Sequence, residues 1–295
     1  MTTLLFIEQV INGLQLGVML FLMAAGLTLV FGIMNMVNLA HGSLYMMGAY
    51  YCATFAQWTG SFFTAAILAL PAAALTGLAV ELIALRTLYA RDHLDQVLAT
   101  FGLILFFNEL ARVIWGPVAI FMDIPPLLSG GVEIVPGAPY PVFRLFVIAV
   151  GIAVASFLWW LITRTRLGML IRAGATNREM VGALGVDIKL LYTLVFALGA
   201  ALAGLAGLMA GPLYVVEIGM GDGVLIKTFV VIVIGGIGSI RGAFIAALVV
   251  GVVDTFGRVL PAQFGLPNAL SEMAIYILMA AVLFWRPRGL FAPGS

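Results

Sequence analysis

What most constrains this chain is the recurrence of apolar runs long enough to cross a bilayer. A helix needs roughly 20 mainly apolar residues to traverse the hydrocarbon core. Such runs cover 10–33, 39–58, 62–85 and 97–115, then 142–162 and 190–213, and towards the end 243–259 and 269–285. The run 226–237 is shorter and ends at the break Gly235-Gly236-Ile237-Gly238. It reads either as a full span or as a half-helix or re-entrant segment, so the expected count is eight or nine. Only 9% of the residues are charged, against about a quarter in soluble domains. An outer-membrane barrel would instead alternate apolar and polar residues over short strands. The sequence therefore predicts an all-α, polytopic membrane protein, a single transmembrane domain over 1–295 with broken or re-entrant segments. The N-terminus has no basic region and carries Glu8, so the first span is expected to insert uncleaved.

The longest polar interruption is 164–188, with Arg164, Arg166, Arg172 and Arg178 against Glu179 and Asp187. Lys and Arg next to span ends resist translocation, so this segment is expected in the cytoplasm. Arg86, Arg91, Arg241, Arg286 and Arg288 then fall on the same side, and 116–141 becomes an external loop. Its Pro125-Pro126, Gly130-Gly131 and PGAPYP punctuation predicts an ordered loop with a short hairpin. Within the cytoplasmic segment, residues from about Ala175 to Leu184 favour a helix capped by Thr176 or Asn177, with Arg178 and Glu179 in its first turns. A short helix held in the cytosol by a membrane domain is a docking surface for a soluble partner; otherwise it is only a basic juxtamembrane loop.

Two internal breaks look alike. One holds Asn35, Asn38, His41, Gly42 and Ser43; the other holds Gly235, Gly236, Gly238 and Gly242. Irregular backbone at membrane depth is tolerated only beside protein or water, which makes such breaks candidates for a transport pathway. Side-chain amides are costly in lipid, so Asn35 and Asn38 should face the bundle interior or water. They form either a gate that hydrogen-bonds a passing solute or a satisfied network pinning a helix end. Glu109 with Arg112, and Asp254 with Arg258, are spaced to pair along one helix. Glu217, Asp222 and Lys227 fall in or beside the link GMGDG, where they either touch a docked partner or cap a helix. Gly199, Ala203 and Gly207, four apart, predict a close helix–helix contact, within this subunit or across a dimer.

Enzyme signatures are missing from the sequence. There is no HExxH, no GxSx with a partnering His and no Walker A loop; the two histidines and Cys52 have no metal-ligand spacing. Acids deep within the expected spans are nearly absent, which disfavours proton or sodium coupling.

Three blocks carry a resemblance: AAGLTLVFGIMNMVNLAHGSLYMMGAY at 24–50, LVFALGAALAGLAGLMAGPLY at 194–214 and TFVVIVIGGIGSIRGAFIAALVVGVVDTF at 228–256. Together with the central loop they resemble the branched-chain amino acid ABC transporter permeases of the LivH type, over nearly the whole chain. The resemblance implies an inner-membrane permease subunit, driven by separate ATPases. Its partners would be a second homologous permease (or a second copy), two cytoplasmic ABC ATPases and a periplasmic solute-binding protein. No cofactor is expected on this chain, since ATP and Mg would sit in the ATPases, and no nucleic acid is expected. The 164–188 loop would be the coupling segment, with Arg172, Ala175, Asn177, Arg178, Glu179, Met180, Leu184 and Gly185 facing an ATPase. Where related loops carry an Ala-x-Leu-Leu run, this chain has Val181-Gly182-Ala183. Gly costs about 1 kcal/mol inside a helix, so a shorter or kinked coupling helix is expected. Urea and short-chain amide permeases look similar, and a stand-alone channel or carrier is the remaining alternative.

Overall fold

The computed structural model describes residues 3–89, 91–135, 138–263 and 269–291. In chain order the helices are α1 Thr3–Met34, α2 His41–Thr59, α3 Phe62–Ile83, α4 His93–Trp115, α5 Val142–Arg164, α6 Arg166–Thr176, α7 Arg178–Ala183, α8 Ile188–Ala210, α9 Met220–Gly235, α10 Ile240–Gln263 and α11 Ala269–Trp285. Among the described residues six helices are long and apolar enough to cross a membrane: α1, α3, α4, α5, α8 and α10. The protein is thus a polytopic all-α membrane protein. α2 has the length, with 19 residues, but carries His41, Ser43 and three tyrosines. Most of it is enclosed by other helices, so it escapes the demand that lipid contact places on composition. α9 has 16 residues, about 24 Å of helix against a hydrocarbon core of about 30 Å. The expected short segment before the Gly-Gly break is therefore real, though it begins at Met220 rather than Ile226.

The chain divides into two compact units interleaved along the sequence. One consists of the described residues of Met1–Ala24, Ile124–Val154 and Ile226–Ser295; the other is Ala25–Asp123 with Ala155–Leu225. In the second, α2, α3 and α8 pack on one another, and small residues set how closely. A side chain on Gly204 would run into Ala73, and one on Gly207 into the Tyr45 carbonyl. The Gly199, Ala203 and Gly207 stripe is accordingly an interface inside this chain. Without a hydrophobic driving force between helices in lipid, such contact gains its stability from close van der Waals packing. At the end of this unit Trp115 donates to Thr54 Oγ1 at 2.7 Å and stacks on Tyr50, ring centres 4.7 Å apart.

In the first unit the N-terminal half of α1 lies on α10, Gly13 against Val252 and Gly17 against the Ala247 carbonyl, and α10 packs on α11. The expected hairpin is present. Strands β1 (Gly131–Val135) and β2 (Ala138–Pro141) pair antiparallel with Val132 opposite Tyr140, after a 3₁₀ turn at Pro126–Leu128. Pro136 and Gly137 of the PGAPYP motif lie outside the described residues. Tyr140 Oη donates to Asn12 Oδ1 at 2.9 Å, and Arg144 donates to the same oxygen, fastening the hairpin to α1.

Candidate functional site

The polar segment 164–188 is not a loop with one helix in it. It is two helices, α6 and α7, separated by Asn177 alone. Thr165 caps α6, its hydroxyl accepting from Gly168 N at 3.1 Å, and α6 buries Gly168, Ile171 and Gly174. Ala175 and Thr176 close α6 instead of opening the docking helix, and Arg172 sits on the exposed face of α6. Asn177 caps α7 as one of the two expected residues, Oδ1 accepting from Met180 N at 3.0 Å. A cap of this kind is worth about 1 kcal/mol.

α7 has six residues, the shorter form expected from Val181-Gly182-Ala183. It ends with Gly185 at φ +87°. Gly185 N donates to Gly182 O at 3.0 Å, and Val186 N to Val181 O at 3.4 Å. This reciprocal pair satisfies carbonyls that a helix end otherwise leaves open. One side of α7 is anchored by Val181, which is buried; the other presents Met180 at 59% and Leu184 at 77% exposure. Arg178, Glu179 and Gly185 are exposed beside them. Two large apolar side chains at i and i+4, ringed by an Arg and a Glu, form a small sticky surface with a charged rim.

Asp187 caps α8 through Lys189 N at 2.9 Å and Leu190 N at 3.1 Å. The first two turns of α8 are then held by other segments of the same chain. Gly174 of α6 leaves room for both Ile33 and Leu191: a Cβ there would lie 3.2 Å from Ile33 Cδ1 and 3.5 Å from Leu191 Cδ2. Thr193 donates to Glu81 Oε2 at 2.8 Å, and Tyr89 Oη donates to Glu81 Oε1 at 2.7 Å. Arg86 reaches the same carboxylate at 3.4 Å and Thr193 Oγ1 at 2.9 Å. Glu81 is wholly buried. Burial and the hydrogen bond to Glu81 push the Tyr89 phenol above its ordinary pKa, so it remains a donor. Sequence reasoning passed over Glu81, because its partners Arg86 and Tyr89 lie beyond the helix end and Thr193 lies 112 residues away.

Ile33 leads directly into the first break. α1 stops at Met34, and Asn35 takes φ +53°, a left-handed conformation that Asn tolerates better than most residues. Asn35 is exposed, whereas Asn38, His41 and Ser43 are buried. Asn38 Oδ1 accepts from Ala40 N at 3.0 Å, and Asn38 O accepts from His41 N at 3.4 Å. Its Nδ2 has no hydrogen-bond partner among the described residues. The His41 ring lies over Gly26, whose added Cβ would come 3.0 Å from Nε2. Gly42 abuts the first turn of α9, with an added Cβ 2.8 Å from Gly221 O.

The second break belongs to the other unit. Gly236 at φ +97° and Gly238 at φ +84° make the turn. Ser239 caps α10, Oγ accepting from Gly242 N at 3.1 Å. Gly235 and Gly242 face each other so closely that a side chain on Gly242 would collide with the Gly235 carbonyl. The chain end returns to this turn: Leu290 N donates to Ile234 O at 2.8 Å and Phe291 N to Gly235 O at 3.1 Å. Sequence reading missed that cap, for which the only signal was Pro287 and Gly289 after the last apolar run.

Both charge pairs expected along single helices form among the described residues. Glu109 and Arg112 form the expected exposed pair, and Arg258 meets Asp254 at 3.1 Å. Asp254, however, is not confined to an intrahelical pair: Lys227 Nζ lies 2.9 Å from the same carboxylate. Lys227 therefore belongs to α9 and to an ion cluster around the buried Asp254, not to the GMGDG link. The link itself holds Asp222, whose N donates to Gly219 O at 2.9 Å as α9 begins.

The family model described as branched-chain amino acid transport system / permease component matches residues 9–283. The high-affinity branched-chain amino acid transport system permease protein BraD of Pseudomonas aeruginosa is 32% identical over 302 residues, covering 97% of this chain and 95% of BraD. LivH of Escherichia coli K12, of the same description, is 28% identical over 302 residues, 97% of this chain and 96% of LivH. Among solved structures, PsaBC from Streptococcus pneumoniae in complex with Fab is similar with a TM-score of 0.50 at 12% identity, covering 96% of this chain and 91% of that one. That last likeness is one of fold.

Proposed function

The chain belongs to the branched-chain amino acid transport system / permease component family, and from that membership we propose that it carries branched-chain amino acids across the inner membrane as one permease of an ATP-driven importer. A multi-pass membrane permease of this kind is a transport subunit. Its energy comes from two cytoplasmic ATPases, which hold ATP and Mg, and its solute from a periplasmic binding protein. A second permease, homologous or another copy, completes the pathway. On this reading segment 164–188 faces the cytoplasm, its Arg164, Arg166, Arg172 and Arg178 in keeping with the positive-inside rule.

The observation that carries this reading is the exposed pair Met180 and Leu184 on α7. Each is a large apolar side chain held in water by a helix too short to need them for its own packing. Buried in a groove of an ATPase, each would contribute roughly 1.5–3 kcal/mol of transfer free energy, and Arg178 and Glu179 would fix the register at the rim. Closure of the ATPases around ATP would move α7, and the permease would respond to the extent that the partners bind its two states differently. The apolar solute class is supported by the curated relatives, whose names specify branched-chain amino acids.

Site-specific photocrosslinking from position 184 tests the docking. In membranes expressing the chain with its gene neighbours, the expected product is an adduct with an ATP-binding subunit. A crosslink formed only to lipid or to this chain itself would overturn the reading.

A further inference from the structure

We propose that the buried Glu81 carboxylate is a positioning residue for energy coupling, holding α3 to the start of α8 so that the two move together when α7 is displaced. The inference rests on the reading that α7 docks on an ATPase.

α7 is joined to α8 by only the four residues 184–187, and Asp187 locks the joint by capping α8. Thr193 lies six residues beyond that cap, about 9 Å along the helix. There the polypeptide makes a contact unlike the apolar packing around it. A fully buried carboxylate at the end of α3 accepts the hydroxyls of Thr193 and Tyr89, and the Arg86 guanidinium bridges Glu81 and Thr193. Tyr192, next along α8, meets the Tyr89 ring edge-on at 5.2 Å. A fully buried carboxyl group with three donors around it is held in a narrow range of geometries, since removing any partner leaves a buried polar group unsatisfied. Apolar small-residue contacts, by comparison, let helices slide. The network thus adds a directional, hydrogen-bonded joint to the close small-residue packing of α3 on α8.

On its other side the same stretch of α8 touches Gly174 through Leu191, and Gly174 touches Ile33. Ile33 precedes the left-handed Asn35 at the end of α1. A push on α7 is therefore delivered through one node, the first two turns of α8, to α3 by the Glu81 network and to the α1 break by the Gly174 contact. Loosening the first arm leaves the push without a fixed body to act on.

The test uses the purified complex with its co-recovered ATPases, reconstituted with solute-loaded binding protein. Glu81→Gln keeps the size of the side chain and removes its charge. The expected result is normal subunit recovery, sustained ATP hydrolysis and uptake lowered by about tenfold or more, the scale of a typical coupling free energy. Thr193→Val, which removes one hydroxyl at the same carboxylate, should lower uptake per ATP in the same direction. The double variant should fall no further than Glu81→Gln alone. Wild-type uptake per ATP in both variants would overturn the proposal, as would uptake and hydrolysis falling in equal proportion. Should Glu81→Gln fail to assemble, uptake per ATP of Thr193→Val decides by the same criterion. A wild-type chain that brings no ATPase would instead sink the docking reading on which this one stands.

Discussion

At the scale of single residues, Glu81 and Asp254 are buried acids held by named partners, and what holds them sets the cost of changing them. Asp254 is buried and serves two cations, Lys227 and Arg258. Removing Asp254 leaves Lys227 and Arg258 without their acid, but both reach solvent, so the cost falls below the roughly 3–5 kcal/mol of a fully buried pair. Asp254→Ala is therefore expected to lower thermal stability in detergent clearly, while Lys227→Met combined with Asp254→Leu should recover most of the loss. A double variant as unstable as the single would show that the ions are not paired in the way described. Gly42 presents a different case. Its neighbours on the inner side are the Gly221 carbonyl and Leu225, so Gly42→Leu must move backbone. Lower recovery of folded protein is expected there, measured by fluorescence size exclusion, rather than a folded complex with an obstructed pathway; Gly42→Ala should show the same effect in milder form.

Among the elements, the helical spans were the most legible part of the chain, because length and apolarity are demanded by the bilayer and leave a direct mark on sequence. The break after Gly235 and the stop at Asn35 were legible for the same reason, since Gly and Asn mark places where helical backbone ends. α6 was not. Its Arg166 and Arg172, with Arg164 and Arg178 just outside it, make the stretch look like loop, and its buried positions Gly168, Ile171 and Gly174 include two glycines that add no hydrophobic signal. The start of α7 moved from about Ala175 to Arg178 as a consequence. Asn177 as the cap was readable, and its effect is measurable: Asn177→Ala should cost about 1 kcal/mol, fray α7 and weaken ATPase recovery without affecting membrane insertion. Equal recovery in a pull-down would count against α7 as the docking element. The cap supplied to α9 by residues 290–291 was hidden because backbone donors carry no residue-type signature. Ending the chain after Arg286 should leave the Ile234 and Gly235 carbonyls unsatisfied and impair uptake; full uptake by that truncation would mean that the cap is dispensable.

For the whole molecule, pairings across long sequence separations stayed invisible: Lys227 with Asp254, and Glu81 with Thr193. Each joins two helices, and nothing in the residue types says which side chains meet across them. The family, by contrast, was visible in three stretches of sequence, and the match over residues 9–283 bears it out. What distinguishes an ATP-driven permease from a channel is dependence on other subunits, and α7 is where that dependence is proposed to enter. Replacing Arg178 and Glu179 with Ala should separate ATP hydrolysis from uptake while the complex still inserts.

Uptake of radiolabelled leucine, isoleucine and valine into proteoliposomes holding this chain with its co-purified subunits separates an ATP-driven permease from a channel. The account predicts accumulation against a gradient only when ATP, the ATPases and the binding protein are all present, and loss of accumulation when Met180 and Leu184 are both changed to Ser. Solute passage by the chain alone, indifferent to ATP and to those two substitutions, would contradict it.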